Sequence, residues 1–138
     1  MIYQKKIVLP RFSKGFHLIT DIIINEIKDV LPKVGILNIF LCHTSSALAI
    51  NENADYTVRH DLKNFFNNLV PEDYKGFTHT LEGADDMPSH IKSSILGQSL
   101  TIPITNHKLN LGTWQGIYLC EFRDNPSNRT IVLTIIGE

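Results

Sequence analysis

The chain has 138 residues, 43% of them hydrophobic and 20% charged, the balance of one soluble globular domain spanning residues 1–138 with enough apolar material for a core. Thirteen Lys plus Arg against fourteen Asp plus Glu leave a net charge of −1, which excludes the basic footprint of a nucleic-acid binder. Unbroken apolar runs such as Ile22-Ile23-Ile24 and Ile131-Val132-Leu133 fall far short of the ~20 residues of a membrane helix. Only Ile7-Val8-Leu9 separate Lys5-Lys6 from Pro10, too little for a secretory leader, so a cytoplasmic protein is expected.

In chain order, Ile2 to Leu9 reads as a strand ending at Pro10. Ile23, Ile27, Val30 and Leu31 follow helical spacing, with Thr20 or Asp21 as N-cap and Pro32 to Gly35 as the stop. Ile36 to Cys42 is branched and aromatic, and reads as a buried strand. A second helix, about Ala54 to Leu69, places Val58, Leu62, Phe65, Phe66 and Leu69 on one stripe and His60 on the polar face, where it is a solvated histidine. Pro88 announces a third, short helix that Gly97 closes. Leu100 to Thr105, about Trp114 to Arg123, and Arg129 to Ile136 read as strands, the last two joined as a hairpin through Asp124-Asn125-Pro126-Ser127-Asn128. This order of elements predicts an α+β fold with a mixed, largely antiparallel sheet packed by two longer helices and one short one.

Cys42 and Cys120 lie far apart in apolar stretches without metal-ligand spacing, so both are expected as reduced, buried thiols. A Cys42/His43 dyad is disfavoured, because neighbours on a strand point to opposite faces.

Chemistry is expected where polar residues interrupt the apolar pattern. His43 stands at a strand end before Thr44, Ser45 and Ser46, then Asn51-Glu52-Asn53. Hydroxyls and free backbone N–H groups there suit phosphate, and the imidazole could bind phosphate, ligate metal or move a proton; an ST-type turn with a structural histidine accounts for the same residues. Asp86 and His90 lie four apart across a helix start, with His79 in the preceding loop. They can converge on a divalent metal, or serve as helix caps and exposed surface. In the third segment, period two places Gln115, Ile117, Leu119, Glu121 and Arg123 on one face and Trp114, Tyr118, Cys120 and Phe122 on the other. Glu121 and Arg123 could pair with each other, or offer a base or metal partner and a bidentate phosphate donor.

The stretches HTSSALAINENAD with VRHDL, EGADDMPSHIKSSILGQSLTIPI, and LGTWQGIYLCEFRD with NRTIVLTIIG resemble, in this order, the YjbQ-like family, many of whose members are labelled secondary thiamine-phosphate synthases. The likeness runs from about Gly35 to Gly137 and takes in His43, Thr44, Asn51, Glu52, Asp61, His79, Asp86, His90, Lys92, Gly97, Gly112, Trp114, Gln115 and Arg123. Asn106-His107-Lys108-Leu109-Asn110 departs from it, since the family more often has a Gly-containing turn there.

The resemblance implies a curved, half-barrel-like sheet, a homotrimer with polar pockets close to subunit contacts, and the coupling of a hydroxymethylpyrimidine diphosphate to a thiazole phosphate with release of pyrophosphate. Such a coupling calls for electrostatic stabilisation of the leaving group. Mg²⁺ on Glu52 and Asp86, Arg123 and Lys92 on the phosphates, and the hydroxyls of Thr44 to Ser46 would supply it. Trp114 would stack on the pyrimidine or serve the core, with Asn51, Gln115 and Glu121 beside the substrate. Histidines suit zinc or another transition metal better than Mg²⁺. That mismatch keeps open a metal-dependent hydrolase or lyase, with His43, His79 and His90 as ligands and Asp86 or Glu52 as base. A non-catalytic trimeric module that binds a small phosphorylated or carboxylated metabolite is the third reading.

Overall fold

A computed structural model describes residues 1–138. The elements are β1 (Ile2–Val8), β2 (Gly15–Leu18), α1 (Thr20–Ile27), β3 (Val34–Leu41), β4 (Ser46–Glu52), α2 (Tyr56–Leu69), α3 (Asp86–Leu96), β5 (Ser99–Thr105), β6 (Lys108–Leu109), β7 (Gln115–Glu121) and β8 (Thr130–Gly137). The strands form a five-stranded sheet, β1-β8-β3-β5-β6, and a three-stranded sheet, β2-β7-β4. Every pair is antiparallel, and the whole is the expected curled, half-barrel-like α+β architecture. No helix is long and apolar enough to cross a membrane.

Alternation on the strands sets the layers. Leu37, Ile39 and Leu41 of β3, Ile102 and Ile104 of β5, and Ile131, Leu133 and Ile135 of β8 point inward, where Ile23 and Ile27 of α1 and Leu48, Ile117 and Leu119 of the smaller sheet meet them. Burial of each such side chain contributes about 1.5–3 kcal/mol. β7 is covered on both faces. Ile117 and Leu119 enter this main core, while Tyr118 and Cys120 join Phe16, Ala47 and Phe122 beneath Leu62 and Phe66 of α2 and Leu96 of α3.

Several expectations are corrected. The last two strands are not a hairpin: β7 pairs with β2 and β4, and β8 with β1 and β3, because the Phe122–Arg129 segment carries the chain from one sheet to the other. β2 and β4 are strands that propensity did not single out, since Gly15–Leu18 is short and Ser46–Glu52 ends in polar residues. α1 stops at Ile27, before Val30 and Leu31, and α3 starts at Asp86, so Pro88 is its third residue. On α2 no residue is fully buried, and Phe65 (65% exposed) and Leu69 (54%) point away from the core. Cys42 is exposed; Cys120 alone is buried, which pushes its thiol pKa up. His60 lies on the solvated face beside Asn64. Asn106 and His107 both take positive φ, 51° and 63°, so the β5–β6 turn adopts the left-handed backbone usually given to glycine.

Candidate functional site

Three short connections between the two sheets, β1 to β2, β3 to β4 and β7 to β8, cross at the same end, and the last two carry the site. β3 leaves the large sheet at Leu41, opposite Ile131 of β8, and β4 enters the small one at Ser46, opposite Glu121 of β7. The segments 42–45 and 122–129 therefore run side by side, and α3 packs against β4 next to them. His43, Thr44, Ser45, Arg123 and Arg129 all come from these crossings, and Asp85, Asp86 and His90 from the start of α3.

Asp86 is the centre of one group. Its Oδ2 lies 2.6 Å from His79 Nε2 and 3.1 Å from His90 Nε2, while Arg123 donates to Oδ1 through NH1. Arg123 is held in turn by Asp85 Oδ2 at 2.8 Å and the Glu82 carbonyl at 3.0 Å. Burial pushes the Asp86 pKa up, but the His79 hydrogen bond, the Arg123 charge and His90 outweigh it and hold the carboxyl below its usual value. The ligand atoms of His79, Asp86 and His90 all lie within 4.8 Å of one another. His90 Nδ1 stands 2.8 Å from the Thr44 carbonyl. A carbonyl only accepts, so Nδ1 carries a proton and the Nε2 of a neutral ring turns a lone pair toward the carboxylate. That contact is favourable only with a cation between or upon the two atoms, a ring proton or a metal ion. Two imidazoles and one carboxylate form a donor set for zinc or a related transition metal rather than Mg²⁺.

His43 belongs to a second, adjoining group. Glu121, fully buried, accepts from Arg129 Nε at 2.7 Å and NH2 at 2.6 Å, and from the backbone N–H groups of Phe122 and Arg123. Arg129 NH2 also donates to the Ser45 carbonyl. The Thr130 N–H donates to His43 Nε2 at 2.8 Å. A cleft of about 470 Å³ is lined by His43 and His90 together with Thr44, Ser94, Gln98 and Phe40. On the other side of the Asp86 group, His79 lines a second cleft of about 390 Å³ with Tyr74, Phe77 and Met87.

The model of the UPF0047 protein YjbQ-like family matches residues 5–138. The chain belongs to the UPF0047 YjbQ-like family. It is 51% identical to the UPF0047 protein YjbQ of Escherichia coli O157:H7 over 140 residues, covering all of both chains, and 41% identical to UPF0047 protein sll1880 of Synechocystis over 99% of this chain and 92% of that one. Among solved structures it is similar to a YbjQ-like protein of unknown function from Sulfolobus solfataricus P2, with TM-score 0.89, 26% identity and coverage of 100% and 99%. It is also similar to an uncharacterized YjbQ/UPF0047 protein from Clostridium acetobutylicum, with TM-score 0.81, 34% identity and 99% of both chains covered.

In this UPF0047 chain the residues singled out from sequence fall into four places. His79, Asp86, His90 and Arg123 come together as expected of a site. His43 stands outside the set of convergent ligand atoms, and its Nε2 accepts from the Thr130 N–H. Glu121 pairs with Arg129 rather than with Arg123 and lines neither the cleft of His43 and His90 nor that of His79; Ser45 and Ser46 are buried, leaving Thr44 as the exposed hydroxyl of the three. Lys92 follows His90 by two residues, so it leaves the other side of α3; its ammonium donates to Asn67 Oδ1 in a different cleft that also holds Lys14 and Asp124. Asn51, Glu52, Trp114 and Gln115 gather at the far end of the β4–β7 pair, about 20 Å along the strand from Ser46 at ~3.3 Å per residue. There Asn53 Nδ2 donates to the Thr113 and Gln115 carbonyls, and Trp114 is exposed.

Two residues of the candidate site were missed, Asp85 and Arg129. The signal for Arg129 was available: Glu121 ends one apolar strand and Arg129 directly precedes the next, and a charge carried into the interior there must find an opposite partner.

Proposed function

We propose that the protein binds a zinc-type transition metal ion through His79 Nε2, Asp86 Oδ2 and His90 Nε2, and acts as a metal-dependent hydrolase or lyase on a small phosphorylated or carboxylated metabolite. The observation that carries this reading is the convergence of His79 Nε2 and His90 Nε2 on Asp86 Oδ2, at 2.6 and 3.1 Å, with His90 Nδ1 committed to the Thr44 carbonyl. When bound, such a metal supplies an activated water at neutral pH. The Thr44 carbonyl fixes the ring of His90 and its tautomer, the partner that ligating histidines require. Arg123 occupies Asp86 Oδ1 and orients Oδ2 toward the two imidazoles, and Asp85 holds Arg123 in that pose. Substrate has room in the cleft of about 470 Å³ shared by His43, Thr44 and His90.

The coupling of a pyrimidine diphosphate to a thiazole phosphate is supported less well. Of its Mg²⁺ ligands, Glu52 ends β4 while Asp86, at the start of α3, is tied through His90 to Thr44 before the other end of that strand, and Lys92 donates to Asn67 in a different cleft. Assembly could reunite such distant residues. A homotrimer draws support from the exposed outer row Ile2, Ile136, Ile36 and Pro103, which the strand register aligns across four strands, and light scattering on the purified protein tests it.

The deciding experiment is elemental analysis of protein purified without chelator or metal-binding tag, for wild type, His90→Ala and Asp86→Asn. The expected result is near one equivalent of transition metal in wild type and almost none in either variant. Wild-type protein that holds no metal and takes up none on dialysis against zinc overturns the reading. Pyrophosphate release from the pyrimidine diphosphate by that metal-free protein would favour the coupling instead.

A further inference from the structure

The geometry around His43 leaves one nitrogen with no task inside the protein. A backbone N–H can only donate, so the 2.8 Å contact from Thr130 N makes His43 Nε2 an acceptor. An imidazole that accepts at Nε2 and is neutral must carry its proton on Nδ1. The clamp on this tautomer is two-sided, because the Cys42 N–H donates to the Thr130 carbonyl at 3.1 Å while the Thr130 N–H grips the ring. Thr130 opens β8, which is locked between β1 and β3, so the ring is fixed to the rigid end of the large sheet. Nδ1 has no hydrogen-bond partner in the protein and is not sealed from solvent, and His43 lines the cleft that His90 also lines.

We infer that His43 is a substrate-contacting group, a neutral imidazole whose Nδ1–H donates a hydrogen bond to an oxyanion of the ligand, phosphate or carboxylate, held in the cleft beside His90. This gives the proposed site its second half. The His79, Asp86 and His90 cluster would face the bond to be broken, and His43 the oxygen that carries the charge. Burial, followed by the positive charge of Arg129, lowers the pKa of the ring against the opposing pull of Glu121, which keeps it a neutral donor. The hydroxyl of Thr44 and the side chains of Ser94 and Gln98 supply further polar groups on the same cleft wall. The inference rests on the proposed function only for the catalytic meaning of the cleft, since the donor geometry stands without a metal.

The test is a ¹⁵N histidine side-chain NMR spectrum of the full chain at neutral pH, followed by separate titrations with inorganic phosphate and with acetate. His43 is expected in the Nδ1–H form, the rarer neutral tautomer, and its Nδ1 signal is expected to shift with one anion or both. The anion that binds more tightly identifies the ligand class as phosphorylated or carboxylated. His43→Gln can still accept from Thr130 but has no donor at the Nδ1 position; it is expected to bind that anion at least about tenfold more weakly with an unchanged melting temperature and unchanged metal content. His43→Asn places an amide N–H at the Nδ1 position and should recover part of the binding, at some loss of stability. An Nε2–H or doubly protonated His43, a wild type that neither anion perturbs, or a His43→Gln that binds like wild type each overturns the inference. Absence of metal with a normal His43 response overturns the proposed metal function and leaves this inference standing.

Discussion

Arg129→Met is the perturbation with the largest expected effect on stability. Arg129 is 5% exposed and Glu121 fully buried, and two hydrogen bonds of 2.7 and 2.6 Å join them. Removing the guanidinium leaves a carboxylate in the core with only the backbone N–H groups of Phe122 and Arg123 as donors. Breaking a buried pair from one side costs about 3–5 kcal/mol. At ~2.1 cal/mol/K of unfolding entropy per residue, 138 residues give about 0.29 kcal/mol/K, and the melting temperature should fall by about 10–17 °C. The loss should reach the candidate site as well, since Arg129 donates to the Ser45 carbonyl and precedes the Thr130 that holds His43. Scanning calorimetry at pH 7 measures the drop. The double variant Glu121→Leu, Arg129→Met removes both charges and should recover most of it. A single-variant drop under about 4 °C, or a double variant no more stable than the single, would refute the claim that an uncompensated carboxylate is the cause.

Other consequences follow from particular contacts. A Cβ on Gly35 would stand 2.3 Å from the Ile136 carbonyl and 2.9 Å from Gly137 Cα, so Gly35→Ala must part β3 from β8 and is expected to cost about 1–3 kcal/mol; urea denaturation that shows no loss contradicts this packing. Lys92 is 1% exposed and donates to Asn67, and burial, then repulsion from Lys14, lowers its pKa to about 8. The unfolded chain keeps that proton up to about pH 10.5, so between pH 8 and 10.5 it binds more protons than the folded chain and stability rises with pH. Lys92→Met should flatten that rise, measured as urea midpoints at both ends of the window; an equal rise in the variant would assign it to another group. Phe65→Ser alters an exposed side chain and should shift stability by no more than about 0.5 kcal/mol, so a larger loss in chemical denaturation would mean that a second chain covers this face of α2.

Periodicity located three helices and most of the large sheet because those elements bury one face, and a buried face writes its period into the sequence. Ile23 and Ile27, or Leu37, Ile39 and Leu41, are legible for that reason. β7 was less so. It is covered on both sides, so Ile117 through Cys120 are all buried and no alternation marks which face meets which layer. The stripe on α2 misled through Phe65 and Leu69, which share the helical spacing of Leu62 and Phe66 but lie beyond the reach of the small sheet. The site was legible where partners are close in sequence: Asp86 and His90 sit one helical turn apart, and their convergence follows from that spacing. It was illegible where the partner depends on which strands pair. Reading β7 and β8 as a hairpin would place Glu121 and Arg123 near each other on one face, whereas the crossing between sheets gives Glu121 to Arg129 and Arg123 to Asp85 and Asp86.

The same crossing explains why chemistry collects at this end of the fold. Where two strands leave one sheet for another, their ladder hydrogen bonds end while their backbone groups are still half-buried, and each needs another partner. Here side chains take up part of that task. The Thr130 N–H goes to the ring of His43, the Thr44 carbonyl to the ring of His90, and the Ser45 carbonyl to Arg129. Each bond satisfies the backbone and, at the same time, fixes a side chain in one orientation, and for the two histidines it also fixes the tautomer. At the far end of β4 and β7 the demand is met by an amide instead, Asn53 donating to the Thr113 and Gln115 carbonyls, and no imidazole takes part. The two ends of the same strand pair thus solve one backbone problem with different side chains, and the end that solves it with imidazoles is the end that carries the candidate site.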